Sequence, residues 1–262
     1  MNKIIDSHTH YNSREFDGRR DELLTGMLGG DSPVCGVIHA ATDEASMLFG
    51  IEYAKRFGGF YTSIGFHPEN ANDLPEDSEG MLEEMLKRSD KICAVGEVGL
   101  DYHYEGYDRE VQIRLLRMQT ELAARHGLPL IFHCRNATED FMSLMREYRP
   151  RGVVHCFSGS AETARELVSL GLYLGFGGVL TYHNSKRVKK AFAAVPEDRF
   201  LFETDCPYLA PEPYRGEICD SYMIEQVAQC GAEIRGTDAD RLKELAAENT
   251  ERLFGIRLQT ES

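Results

Sequence analysis

The sequence predicts a (β/α)8 barrel, and three observations predict it. Apolar, β-branched runs recur eight times along 262 residues, with helix-like segments between them. A barrel of this kind typically takes about 250 residues. Six ligand-type residues, His8, His10, Glu97, His133, His155 and Asp205, stand at the C-terminal tips of these runs, the end at which barrel sites are built. Residues from the first, fourth, fifth, sixth and eighth strands meet at one point only if the sheet closes into a ring. The alternative, an open doubly wound sheet, keeps them apart.

In order, the runs are Lys3–His8, Val34–Ala40, Phe60–Gly65, Ile92–Val98, Pro129–His133, Gly152–His155, Leu172–Phe176 and Phe200–Glu203. Continuous apolar stretches such as Ile92-Cys93-Ala94-Val95 suit parallel strands covered on both faces. Between them, Val111, Leu115, Met118 and Leu122 keep helical spacing, and His126-Gly127 followed by Pro129 supplies a stop. Near the end, Thr237 is the expected N-cap of a helix whose stripe is Leu242, Leu245, Ala246 and Leu253. No linker or low-complexity tract interrupts the pattern, so one domain over residues 1–262 is expected. Met1-Asn2-Lys3 leads straight into the first strand without the apolar core of a signal peptide. No apolar run approaches the roughly 18 residues of a membrane span. The expectation is a soluble, cytoplasmic chain with no membrane partner.

The formal charge of −14 comes from 29 basic and 43 acidic residues, and it argues against a general polyanion-binding surface. Screening confines distant charges to about 8 Å at physiological salt, so a phosphate ligand is still admissible where bound cations make the pocket positive. The seven cysteines contain no Cys-x-x-Cys pair, which speaks against a disulfide framework or a thiolate zinc knuckle. Cys134, Cys156 and Cys206 each follow a ligand-type residue and read as small apolar filler.

His8 and His10 flank Thr9, so on a strand both imidazoles point to one face. An isolated histidine is ordinarily a satisfied polar residue. His39 and His183 are read that way, and His126 as a cation at a helix C-terminus. Six ligand types at strand tips are a different matter, and they exceed what one four-coordinate zinc uses. Two divalent cations sharing a carboxylate fit better, with Glu97 between Gly96 and Gly99 as the bridge. His8, His10, Glu97 and Asp205 are assigned to one cation, and Glu97, His133 and His155 to the other. Such pairs sit roughly 3.5–4 Å apart and activate water for in-line displacement. Asp205 is expected to serve twice, as ligand and as the group that orients or deprotonates that water.

At this point the residues resemble the TatD-type metal-dependent deoxyribonucleases, a branch near the amidohydrolase-like barrels. The matching stretches are Ile5-Asp6-Ser7-His8-Thr9-His10, Gly65-Phe66-His67-Pro68-Glu69, and Gly96-Glu97-Val98-Gly99-Leu100-Asp101-Tyr102. Further matches begin at Pro129 through Arg135, His155 through Ser160, Glu203 through Pro211, and Asn249 through Gly255. The resemblance implies hydrolysis of phosphodiester bonds in DNA, with trimming of single strands from the 3′ end. It also implies that His67 and Arg135 contact the phosphate and that the six ligands act as assigned. His103 and Tyr102 lie within reach of the sugar or base.

Tyr102, Tyr104, Tyr208 and Tyr214 are candidates for stacking on splayed bases, each worth about 1–3 kcal/mol in that role. Ser160 reads as an N-cap before a helix. One departure is Glu217-Ile218-Cys219-Asp220-Ser221, where the family commonly carries an Asn-Glu-Pro run, and it bears on substrate fit. The alternative reading is a hydrolase of a small-molecule phosphoester, lactone or amide on the same centre. A non-catalytic, metal-buffering barrel is the third class. The ligand set suits Zn, Mn, Fe or Co by softness, whereas the resemblance implies activity with Mg2+ or Mn2+, Zn2+ being compatible with the purified protein. A monomer is compatible with everything read here.

Overall fold

The computed structural model describes residues 3–30 and 32–257; the expected domain bounds at 1 and 262 lie outside them. Eight parallel strands follow one another around a single sheet in the order β1 to β8. They are β1 Ile4–Thr9, β2 Val34–His39, β3 Phe60–Ile64, β4 Ile92–Asp101, β5 Leu130–Arg135, β6 Gly152–Val154, β7 Tyr173–Phe176 and β8 Phe200–Phe202. The helices described between and after them are α1 Arg20–Leu28, α2 Glu44–Arg56, α3 Ser78–Leu86, α4 Arg109–His126, α5 Thr138–Tyr148, α6 Ala161–Ser169, α7 Lys186–Ala194, α8 Ile224–Arg235 and α9 Ala239–Phe254. The expected barrel is therefore the observed one.

The ring closes between β1 and β8 without a regular ladder. Thr9 forms an isolated parallel bridge to Cys206, and His10 N donates to the Cys206 carbonyl at 2.8 Å. Side chains complete the seam. The buried Asp6 carboxylate accepts from Thr204 N at 2.9 Å and from its hydroxyl at 2.6 Å, while Ser7 Oγ donates to the Phe202 carbonyl at 2.9 Å.

Two layers of apolar packing follow from ring closure. The larger fills the space between strands and helices, with Phe60, Phe132, Phe141, Phe176, Phe192 and Phe200 almost fully buried. The smaller joins Ile5, Ile38, Ala94, Ile131, Val153 and Leu201, one from each of six strands. Side chains from strands that are not neighbours touch one another only inside a barrel. Leu253, Phe254 and Ile256, from the end of α9 and just beyond it, pack against this cluster.

Local signals account for the ends. Gly127 stops α4 at φ 65°, in the left-handed region that glycine enters without cost. Ser160 caps α6 by accepting from Thr163 N. The N-cap of α9 is Asp238 rather than Thr237: its carboxylate accepts from Asp240 N and Arg241 N, and Thr237 N is spent on the Ala232 carbonyl that ends α8. Strand β4 runs three residues past the expected Val98, because Gly99, Leu100 and Asp101 continue to pair with His133, Cys134 and Arg135.

Candidate active site

Glu97 stands near the centre of the C-terminal face, 3 % exposed. Its approach depends on the glycines beside it. A Cβ on Gly96 would lie 2.6 Å from Ile131 Cβ, and one on Gly99 would lie 1.9 Å from the His133 carbonyl oxygen. The two oxygens of Glu97 face different partners. Oε2 is 3.3 Å from His8 Nε2 and 3.6 Å from His10 Nε2. Oε1 is 2.9 Å from His133 Nδ1 and 2.7 Å from His155 Nε2.

On the first side, His8 Nε2 and His10 Nε2 are 3.1 Å apart, and Asp205 Oδ1 lies 3.6 Å from the former and 3.3 Å from the latter. These separations are close to the roughly 3.3 Å between ligands that stand about 2.0–2.1 Å from one four-coordinate ion, so the four side chains could hold such an ion. The tautomers agree. His10 Nδ1 faces the Ala40 carbonyl at 3.0 Å, which only accepts, so the proton sits on Nδ1 and the lone pair of Nε2 faces the cluster. On the second side, His133 Nε2 faces Asp101 Oδ2 at 3.0 Å, so its Nδ1 lone pair turns inward, 3.2 Å from His155 Nε2. A carboxylate behind a ligating imidazole is the usual means of fixing such a ring. Imidazole lone pairs converging on shared carboxylate oxygens suit divalent cations.

His67 differs. Its Nδ1 accepts from Glu69 N at 3.2 Å, which leaves the proton of the neutral ring on Nε2, 3.5 Å from Glu97 Oε1. His67 thus presents a donor to the cavity rather than a lone pair.

Charge and burial oppose each other throughout the cluster. Burial pushes the Glu97 carboxyl up, but the surrounding imidazoles, His155, His8 and His67 foremost, hold it well below the usual range. Burial likewise raises Asp205, and His10 and His8 more than offset it. His8 is pulled down to about 4 by burial and by the like charge of His155. His155 is carried up to about 10, since Glu97, Glu203 and Asp205 outweigh its burial. The carboxylates are therefore anionic at neutral pH, as cation ligands must be.

A cavity of about 740 Å³ opens over the cluster, lined among others by His67, Asp101, Arg135, Tyr104, Tyr208 and Leu209. The structure brings His8, His10, Glu97, His133, His155 and Asp205 together and places His67 and Arg135 on the wall. Tyr102 and His103 are not among the lining residues. The Tyr102 hydroxyl donates to Asp140 at 2.8 Å and its ring stacks on Tyr107, while His103 Nδ1 meets Asn136 at 3.3 Å. Two carboxylates went unremarked in the sequence. Asp101 holds His133, and the buried Glu203 accepts from Cys156 N at 2.5 Å beneath His155. Both lie inside the quoted motifs, at Gly99-Leu100-Asp101 and Glu203-Thr204-Asp205, and position in the motif was the available signal.

Four backbone positions around this face, Asn136, Cys156, Asp205 and Leu209, have φ between 45° and 63°, a conformation that side chains other than glycine rarely adopt and that gathers at functional sites.

The family model described as TatD related DNase matches residues 5–255. The chain belongs to the TatD family. It is a metal-dependent hydrolase of that family, and its relatives are named accordingly. It is 34% identical over 256 residues to "Uncharacterized metal-dependent hydrolase YabD" of Bacillus subtilis, covering 97% of this chain and 99% of that one. It is 32% identical to YcfH of Escherichia coli K12, a protein of the same description, over 97% and 96% of the two chains. The crystal structure of YJJV, a TatD homologue from Escherichia coli K12, superposes with a TM-score of 0.91 at 29% identity, covering 97% and 98%. An organophosphorus hydrolase from Deinococcus radiodurans shares the fold at TM-score 0.63 and 14% identity.

Proposed function

We propose that this protein hydrolyses phosphodiester bonds of DNA, removing nucleotides from the 3′ ends of single strands, with two divalent cations in the cluster around Glu97. The observation that carries the reading is the division of one buried carboxylate between two sets of imidazoles, one oxygen to each. His8, His10, Glu97 and Asp205 would hold one cation, and Glu97, His133 and His155 the other. Mg2+ or Mn2+ supports turnover, and Zn2+ is compatible with the isolated protein. Cations of this kind lower the pKa of water and offset the charge of a phosphoryl group.

The chain's own groups supply the rest. Asp205, anionic and at the cavity floor, orients the attacking water and receives its proton. The His67 Nε2–H and the Arg135 guanidinium donate to the non-bridging phosphoryl oxygens, a charge-assisted pairing for Arg135. The protein acts as one domain in the cytoplasm; among the described residues no helix is long and apolar enough to cross a membrane.

Folded, metal-loaded protein is expected to release nucleotides from single-stranded DNA in Mg2+ or Mn2+, and Glu97→Gln to lower both bound metal and rate by at least about 100-fold. No release at any metal concentration overturns the reading. A small ester turned over orders of magnitude faster than DNA in the same preparation favours the alternative, a small-molecule phosphoesterase, lactonase or amidase.

A further inference from the structure

We infer that Tyr104 on one rim and the Tyr208–Leu209 turn on the other form a two-sided clamp for an unpaired nucleobase next to the scissile phosphate. The inference rests on the phosphodiesterase reading and deepens it, naming the residues that hold the terminal base of the strand.

The argument begins with position. Tyr104 follows β4 and Tyr208 follows β8, two strands on opposite sides of a ring of eight. Both rings line the cavity, and both stay more than half exposed, at 55% and 53%, with Leu209 at 38%. The floor between them is polar and charged, and among the described lining residues the exposed large apolar side chains are Tyr104, Tyr208 and Leu209. An acidic chain gains nothing in solubility from aromatic rings at a water-filled mouth.

Each rim is also held in place. Arg135 Nη1 donates to the Tyr104 hydroxyl at 3.3 Å, and its guanidinium carbon lies 5.1 Å from the ring centroid, so one cation fixes the ring and faces the cavity as well. Opposite, Tyr208 N donates to the Asp205 carbonyl at 2.9 Å. Leu209 takes φ 51°, a backbone setting that a bulky side chain rarely adopts. The turn is packed so closely that a Cβ on Gly178 would lie 1.9 Å from the Leu209 carbonyl oxygen. A volume of about 740 Å³ falls within the roughly 300–1,000 Å³ of sites that enclose a small organic unit. Every nucleobase has a π-face, so stacking here tolerates sequence. A base engaged in a duplex stack offers no free face to either rim.

The test reads binding without turnover. The chain has no tryptophan, so tyrosine emission reports ligands stacked on its rings. Single-stranded oligonucleotides protected by a 3′-terminal phosphorothioate are titrated into metal-loaded protein, one with a terminal base and one with an abasic terminal sugar. Wild type is expected to bind the base-bearing strand at least about 5-fold more tightly. Tyr104→Ala and Tyr208→Ala should each lose that preference and bind the abasic strand as wild type does. Tyr104→Phe and Tyr208→Phe should restore it, since the ring and not the hydroxyl does the stacking. Equal affinity of wild type for both strands overturns the clamp, as does an equal loss on both strands in the alanine variants. Protein that prefers the base-bearing strand yet releases nothing from unprotected DNA refutes the nuclease reading while the clamp stands.

Discussion

The proton positions on His10 and His133 decide whether the cluster can hold cations. Ala40 offers a carbonyl and Asp101 a carboxylate, both acceptors, and each draws the imidazole proton away from Glu97. Asp101→Asn replaces one acceptor by an amide that donates as readily as it accepts. The expected result is a fall of about 10- to 100-fold in metal affinity or in kcat, read by competitive chelator titration alongside initial rates, with little change in melting temperature. An unchanged affinity would show that His133 is oriented by its packing alone. At this scale the sequence is half legible. His8-Thr9-His10 announces itself because strand periodicity is local, and Glu97 because glycines flank it. The orienting groups come from just past β2 and from beyond the expected end of β4, and only tertiary contact reveals them.

Among the elements, the junction of β4, α4 and α5 explains why Tyr102 is absent from the cavity wall. Asp140, in the first turn of α5, accepts from Arg109 Nε at 2.7 Å and Nη2 at 2.6 Å, both at the start of α4, and from the Tyr102 hydroxyl just past β4. The Arg109 guanidinium, then the Tyr102 hydroxyl, hold the Asp140 carboxyl below its ordinary range. A carboxyl depressed in the fold adds stability above its unfolded pKa of about 3.9 and loses it as pH falls through the lower folded value. Asp140→Asn should therefore melt slightly below wild type at pH 7, by about 1 kcal/mol or less because Arg109 is half exposed. The gap should close as pH falls through the lowered folded value; thermal melts across pH 2–7 check it. A gap that persists at pH 2 would assign the effect to packing instead of charge. The helices were readable where caps and stops are local, as at Gly127 and Ser160. They were misread by one residue at Thr237, since two adjacent cap-forming residues leave the choice to the preceding turn.

For the whole molecule, the seam between β1 and β8 carries more than closure. Asp6 accepts both bonds of Thr204 in the core, and Asp205 is the next residue. Asp6→Ala leaves the buried Thr204 N–H and the proton of its hydroxyl without acceptors, each costing about 1–3 kcal/mol. A chain of this size loses roughly 2–4 °C per kcal/mol, so the melting temperature should drop by several degrees. Hydrolysis should fall further than folded fraction alone explains, because His8, His10 and Asp205 flank the same seam. Melts and specific activity on one preparation separate the two effects; an unchanged melting temperature would mean the ladderless edge is secured elsewhere. The eight-fold alternation that predicts the ring is a repeated local pattern, which is why the architecture could be read from the chain. The manner of closure depends on residues almost two hundred positions apart, and no periodic signal marks it.

Because the first strand supplies His8 and the residue after it His10, while the loop after β8 supplies Asp205, the centre unites segments that lie far apart along the chain. A ribosome must pass residue 205 before any copy can complete its ligand set. Nascent or truncated chains that stop short of it therefore lack one of the six clustered side chains, however much of the barrel they have already built.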